Sequence, residues 1–174
     1  MPTLDELISP GYRATLAAHH RKANGYWGAS GHSHALDVLL WASALDAKSV
    51  LDYGCGRGTL GPVLRQKGIE VREFDPGIET VSALPEPADL VVATDVLEHV
   101  EPDRLEVTLA FLRSITRAGA YFVIALSKAK DTLPDGRNAH LIQKPASWWQ
   151  TQCLRAGFKV YKVEQRKGLI LWLT

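Results

Sequence analysis

The stretch Val50–Gly61, VLDYGCGRGTLG, places four glycines in eight residues directly behind a short apolar run. Glycine weakens helix and strand alike, so a chain concentrates it only where the backbone bends sharply or lies against another group. Outward from this turn, short β-rich runs alternate with helical segments. The order is SVLDY, a helix over 59–67, VREF, LVVAT, a helix over 103–117, YFVIALS, a helix over 145–156, then FKVYKV. Strand, helix, strand repeated in this way requires crossover connections and predicts a parallel sheet covered on both faces. The final run, LILWLT, follows FKVYKV across Glu164 to Gly168 only. That link suits a hairpin and is too short for a helical crossover, so the last strand is expected to run antiparallel.

One connection is thin. Between Asp75 and Asp89 lie thirteen residues with three prolines, PGIETVSALPEPA, which leave room for at most a short edge strand over 79–84. The expected fold class is therefore α/β, a Rossmann-like three-layer sandwich with six or seven strands, the third short or missing. Ahead of the sheet, residues 12–23 and 34–47 carry apolar side chains at helical spacing, with Leu36, Leu39, Leu40 and Ala44 in one stripe. The reading is one domain over 1–174, a helical cap (1–47) on a core (48–174).

Apolar residues make up 46% and charged residues 22% of the chain, proportions of a globular domain that disfavour disordered and fibrous classes. A net charge of +1 provides no broad electrostatic footprint for nucleic acid, and the local run His19-His20-Arg21-Lys22 reads first as a solvated helix face. Two cysteines do not make a disulfide framework. No apolar run approaches eighteen residues, and the start MPTLDELISPGYR lacks the basic and apolar regions of a signal peptide. The expectation is a cytoplasmic protein with no membrane partner.

Two ligand classes compete for the glycine turn. Gly56-Arg-Gly58-Thr-Leu-Gly61 matches the dinucleotide pattern, and Asp75 lies nineteen residues beyond Gly56. The flanking acid points elsewhere. Asp52 puts a carboxylate at a strand end beside the turn, where it suits a ligand carrying an ammonium group, and the remaining chain is too short for a second substrate domain.

VLDYGCGRG and ATDVLEHVEPD, with LRAGFKV behind them, resemble the class I S-adenosylmethionine-dependent methyltransferases over roughly residues 48–174. The resemblance implies that Asp52, Tyr53, Gly54, Cys55, Gly56 and Gly58 surround the methionine moiety of S-adenosyl-L-methionine. It implies that Asp75, followed by Pro76, accepts from the ribose hydroxyls, and that Thr94, Asp95 and Val96 border the adenosine. It also implies the strand order 3-2-1-4-5-7-6 with strand 7 reversed. The acid that such proteins place after a third strand to bind adenine is missing, and main-chain groups near Ala83 and Leu84 are the expected substitute.

On the acceptor side, Asp95, Glu98 and His99 are spaced i, i+3 and i+4 and share a face if the chain turns helical after the fourth strand. His140 lies in the loop 127–144 after the fifth strand. Glu98, His99 and His140 are the candidate catalytic groups, and together with Asp95 they form a candidate site for Mg²⁺, Mn²⁺ or Zn²⁺. This set resembles the 2′-O-methyltransferases of small-RNA 3′ ends, and the chain is also similar to ubiquinone-pathway O-methyltransferases. The expected function is methyl transfer to an oxygen of a small molecule. The alternatives are a metal-assisted RNA or nucleotide methyltransferase, a catalytically silent cofactor-binding module and, last, a dehydrogenase. Lys128 and Arg137 are candidates for an anionic acceptor, Tyr26 and Trp27 for an aromatic lid, and Trp148 and Trp149 for the core.

Overall fold

The computed structural model describes residues 1–22 and 28–174. Tyr26 and Trp27 lie outside the described residues. Six strands form one sheet: β1 (Ser49–Tyr53), β2 (Glu70–Phe74), β3 (Ala88–Thr94), β4 (Thr116–Ile124), β5 (Val160–Gln165) and β6 (Leu169–Leu173). Their order is β2-β1-β3-β4-β6-β5, and β6 alone runs against its neighbours. This is the expected order with the third strand missing. A 3₁₀ turn over Glu79–Val81 stands where a short edge strand was allowed, so β2 becomes the sheet edge.

Alternation along the strands divides the core into two layers. Leu51 and Tyr53, Val91 and Ala93, Phe122 and Ile124 pack on the side of α1 (Leu4–Leu7), α5 (Leu105–Ser114) and α6 (Ala146–Arg155). Val50, Leu90, Val92, Tyr121 and Val123 pack on the side of α3 (Ala35–Ala44) and α4 (Leu60–Arg65). Among the described residues no helix is long and apolar enough to cross a membrane.

Of the apolar stripe expected on α3, Leu39 packs against the core, but Leu36, Leu40 and Ala44 face outward. Leu36 and Leu40 are 69% and 62% exposed, whereas Ala35, Val38, Trp41 and Ala42 are buried. A helix as apolar as ALDVLLWASA offers more than one apolar face, and the sheet selects the one on which Trp41 can donate from Nε1 to the Ala120 carbonyl (3.2 Å). Of the tryptophan pair, Trp149 is fully buried and Trp148 is half-buried.

The first two helices are fastened to the segment after β3. Ser9 donates from N and Oγ to the Glu101 carboxylate (2.8 and 2.6 Å), and Arg104 donates to the carbonyls of Asp5 and Glu6. The second helix, α2 (Pro10–Lys22), consequently crosses the carboxyl ends of β1 and β3, where the strand order reverses and open α/β sheets form their ligand crevice.

Candidate active site

Gly54, Gly56 and Gly58 all have φ between +52° and +75°, so the turn after β1 requires glycine three times. Each also lies against something. A Cβ on Gly54 would come within 2.5 Å of Val96, one on Gly56 within 2.4 Å of the Gly28 Cα, and one on Gly58 within 3.1 Å of Glu73. The turn is thus sandwiched between the β3 end and the segment ahead of α3, whose Gly28 carbonyl accepts from Arg57 N (3.1 Å). Ser30 in the same segment donates from Oγ to Asp95 (3.0 Å).

A cavity of about 470 Å³ opens over this turn. Its floor comes from Tyr53, Gly54 and Gly56, one end from Asp75 and Pro76, and the middle from Thr94, Asp95 and Val96. Leu7, Ile8, Tyr12, Leu16 and His20 of the N-terminal helices form a wall, and Lys128 to Asp131 with His99 and His140 close the far end. The run His19-His20-Arg21-Lys22 is therefore not simply a solvated face, because His20 turns into the site. Sequence spacing had no means to place Gly28, Ser30, Tyr12 or His20 here.

Three expected cofactor residues do not line the cavity. Asp52 shares the strand face of Val50, opposite Tyr53, and is 3% exposed. Cys55 points inward with Sγ toward the Gly56 carbonyl, and Gly58 lies over Glu73. Ala83 and Leu84, the expected adenine partners, also stay outside. Asp75 lines the cavity, and two main-chain amides fix its carboxylate: Oδ2 accepts from Gly56 N (3.1 Å) and Oδ1 from Gly77 N (2.8 Å).

Burial, followed by the neighbouring Glu73 and Asp75, pushes the Asp52 carboxyl up to about 7. The folded chain thereby favours its protonated form. That stabilisation is complete below the ordinary carboxyl value of 3.8 and is lost as pH rises through about 7. Asp52→Asn, which cannot ionise, should gain on the wild type with rising pH by up to ~4 kcal/mol. Urea unfolding near pH 5 and near pH 8 measures the gap, and an equal gap at both values would contradict it.

The expected helical face of Asp95, Glu98 and His99 does not form. Asp95 adopts φ 55°, Val96 is non-helical, and only Leu97–His99 makes a 3₁₀ turn. Asp95 turns toward Ser30, while Glu98, His99 and His140 converge with one ligand-capable atom of each within 4.8 Å of the others. Glu98 is fully buried behind the wall. Its Oε1 accepts from Ala125 N (2.9 Å) and stands 4.0 Å from His140 Nε2, and Oε2 has no hydrogen-bond partner among the described residues. Burial pushes its carboxyl up to about 8. His99 donates from Nδ1 to the Ala139 carbonyl (2.8 Å), and burial, with His140 beside it, lowers it to about 4. His140 donates from Nδ1 to the Ser127 carbonyl (2.5 Å), and its ring meets that of His99 edge to face at 4.8 Å. The loop that carries His140 is anchored by Ile142 N donating to the Glu98 carbonyl (3.0 Å). Tyr12 donates its hydroxyl to the His99 carbonyl (2.9 Å) and carries the Arg137 guanidinium over its ring. Arg137 is paired with Asp135, whereas Lys128 lines the cavity.

A sheet of this order, a glycine turn at the end of its central strand and an acid at the end of the next strand define the class I S-adenosylmethionine-dependent methyltransferases. A family model described as a methyltransferase domain matches residues 21–172, and the chain belongs to that family. Among curated proteins it is similar to the ubiquinone biosynthesis O-methyltransferases of two Aliivibrio fischeri strains, MJ11 and ATCC 700601 / ES114. Each is 31% identical over an alignment of 116 residues that takes in 52% of this chain and 49% of the relative. The chain thus spans about half the length of the curated relatives it matches. Among solved structures it is similar to magnesium protoporphyrin IX methyltransferase from Synechocystis PCC 6803 with bound S-adenosylhomocysteine (TM-score 0.66, 17% identity, 95% of this chain and 97% of that one). Human N-acetylserotonin methyltransferase in complex with S-adenosylmethionine gives a TM-score of 0.63 at 15% identity, over 99% of this chain and 59% of that one. At such identities the structures establish the fold.

Proposed function

We propose that the chain transfers the methyl group of S-adenosylmethionine to a hydroxyl of a small-molecule acceptor, with His140 receiving the hydroxyl proton. The observation that carries this reading is the convergence of Glu98, His99 and His140 at one end of a cavity whose other end presents the glycine turn and Asp75. In this reading the ribose hydroxyls donate to Asp75, and the methionine end lies along Gly54 and Gly56 toward Asp95. The acceptor oxygen forms its bond to the methyl carbon as the carbon–sulfur bond breaks, leaving S-adenosylhomocysteine, and the hydroxyl proton passes to His140. Holding donor and acceptor in line supplies up to ~7–11 kcal/mol of the barrier. A positioned base adds ~10²–10⁴-fold. His99, already lowered to about 4, is a poor proton acceptor, which leaves the task to His140.

The apolar wall of Leu7, Ile8 and Tyr12 supports a small organic acceptor, and the similarity to ubiquinone biosynthesis O-methyltransferases supports oxygen as its nucleophile. The test is transfer of labelled methyl to a panel of phenols, alcohols and amines. Transfer to amines alone would refute the direction toward oxygen, and tight S-adenosylhomocysteine binding without turnover on any acceptor would favour a silent module.

A second reading gives the same three side chains a divalent cation, Mg²⁺, Mn²⁺ or Zn²⁺, without Asp95. Both imidazoles donate Nδ1–H to main-chain carbonyls, as metal-binding histidines do, which puts the lone pair of the neutral ring on Nε2, and Glu98 Oε2 is unpartnered among the described residues. Glu98, His99 and His140 would hold the cation, and its charge would stabilise an acceptor oxyanion. On this reading EDTA lowers turnover at least ~10-fold and added Mg²⁺ or Mn²⁺ restores it. Unchanged turnover in EDTA, with no metal found by elemental analysis of untagged protein, removes it.

A further inference from the structure

The nucleoside end of the cavity lacks the wall that a third strand and its following residues would supply, and α2 closes it instead. Gly77 is the point of contact: a Cβ there would lie 3.0 Å from both Leu16 Cβ and His20 Cδ2 and 3.3 Å from Ala17 N. Leu16 and His20, one helical turn apart, present the same face of α2 to the cavity.

His20 stands over the carboxylate expected to bind the ribose. Its Nε2 is 3.5 Å from Asp75 Oδ1, and the two side chains are 15% and 8% exposed. Two main-chain amides already fix the Asp75 carboxylate, Gly56 N on Oδ2 and Gly77 N on Oδ1. A carboxylate has about four acceptor positions, so each oxygen retains one for a further donor. A separation of 3.5 Å exceeds the ~2.7–2.9 Å of a tight charge-assisted pair. The imidazole therefore stands beside the carboxylate at more than the distance of a tight pair, where a group bound to Oδ1 would meet both.

A ribose hydroxyl both donates and accepts. Asp75 can take its proton, but a carboxylate offers nothing to the hydroxyl oxygen, which would sit between two largely buried side chains with unsatisfied lone pairs. We propose that His20 completes the ribose site, donating from the imidazole to a hydroxyl oxygen of the 2′,3′-diol while Asp75 accepts the hydroxyl protons. The inference rests on the reading that Asp75 holds the ribose. It makes α2, a segment ahead of the sheet, part of the nucleoside site, in place of the strand and acid missing between β2 and β3.

The experiment is calorimetric titration with S-adenosylhomocysteine and with its 2′,3′-dideoxy analogue, for the wild type, His20→Ala, His20→Gln and Leu16→Ala. A lost hydrogen bond beside two largely buried side chains predicts that His20→Ala weakens S-adenosylhomocysteine ~10-fold and the dideoxy analogue less than ~2-fold. His20→Gln retains a side-chain donor and should recover most of the loss. Leu16→Ala, which alters packing alone, should weaken both ligands by similar factors. The proposal is overturned if His20→Ala leaves S-adenosylhomocysteine affinity unchanged or weakens both ligands equally. The underlying reading is tested apart from it: Asp75→Ala without effect on S-adenosylhomocysteine would remove the ribose role of Asp75 itself.

Discussion

His140→Ala is expected to lower turnover on a hydroxyl acceptor by ~10²–10⁴-fold, the contribution of a positioned base. S-adenosylhomocysteine affinity should stay within about threefold of the wild type, a change below ~1 kcal/mol. The separation follows from the geometry. His140 lies at the end of the cavity away from Asp75, and its ring is oriented by the Ser127 carbonyl. Glu98→Gln probes the group behind it. Glutamine can keep its carbonyl oxygen on Ala125 N, yet it cannot ionise, whereas the Glu98 carboxyl, pushed up to about 8 by burial, can lose its proton when the imidazole 4.0 Å away gains one. Its loss should fall mainly on kcat and should be smaller than that of His140→Ala. Single-turnover methyl transfer at saturating cofactor measures both variants. Wild-type turnover in His140→Ala would show that the acceptor proton leaves by another route.

Asp75→Ala is expected to weaken S-adenosylhomocysteine by ~10²–10⁴-fold, because two hydrogen bonds to a charged group, each worth ~1.5–3 kcal/mol, are lost together. The same change also removes the acceptor for Gly56 N and Gly77 N, so part of the effect comes from a loosened glycine turn. Asp75→Asn separates the two contributions. The amide can still accept from one main-chain N–H but no longer takes two hydroxyl protons as a carboxylate does, so a loss of about half the alanine effect on a logarithmic scale is the expected result. Retained affinity in both variants would place the ribose elsewhere.

Residues whose role depends on neighbours along the chain were legible in the sequence. The glycine turn followed from the concentration of glycine behind SVLDY, and the reversed last strand followed from the length of the link between β5 and β6. Thirteen residues with three prolines between β2 and β3 left room for at most a short edge strand, and a 3₁₀ turn stands there instead. Asp75 was placed by its distance from the turn. The loops after β3 and β4 must end side by side in a parallel sheet, which brings Glu98 and His140 together, and the two side chains do meet. What failed was a choice between faces. The spacing of Asp95, Glu98 and His99 suits a helix that the Asp95 φ of 55° does not allow, and the spacing of Leu36 and Leu40 suits a stripe that the sheet leaves in water.

The sequence by itself determined the order of elements, the single reversed strand, the glycine turn and the acids at the strand ends, because these depend on backbone freedom and link length, which are local quantities. Only the tertiary structure decided that Gly28 closes on Gly56, that Asp52 lies beneath the turn, that Asp95 parts from Glu98 and His99, and that α2 brings His20 to Asp75. Those outcomes depend on how separate segments pack against one another, and a helix or turn with more than one acceptable face leaves that choice to the surface it meets.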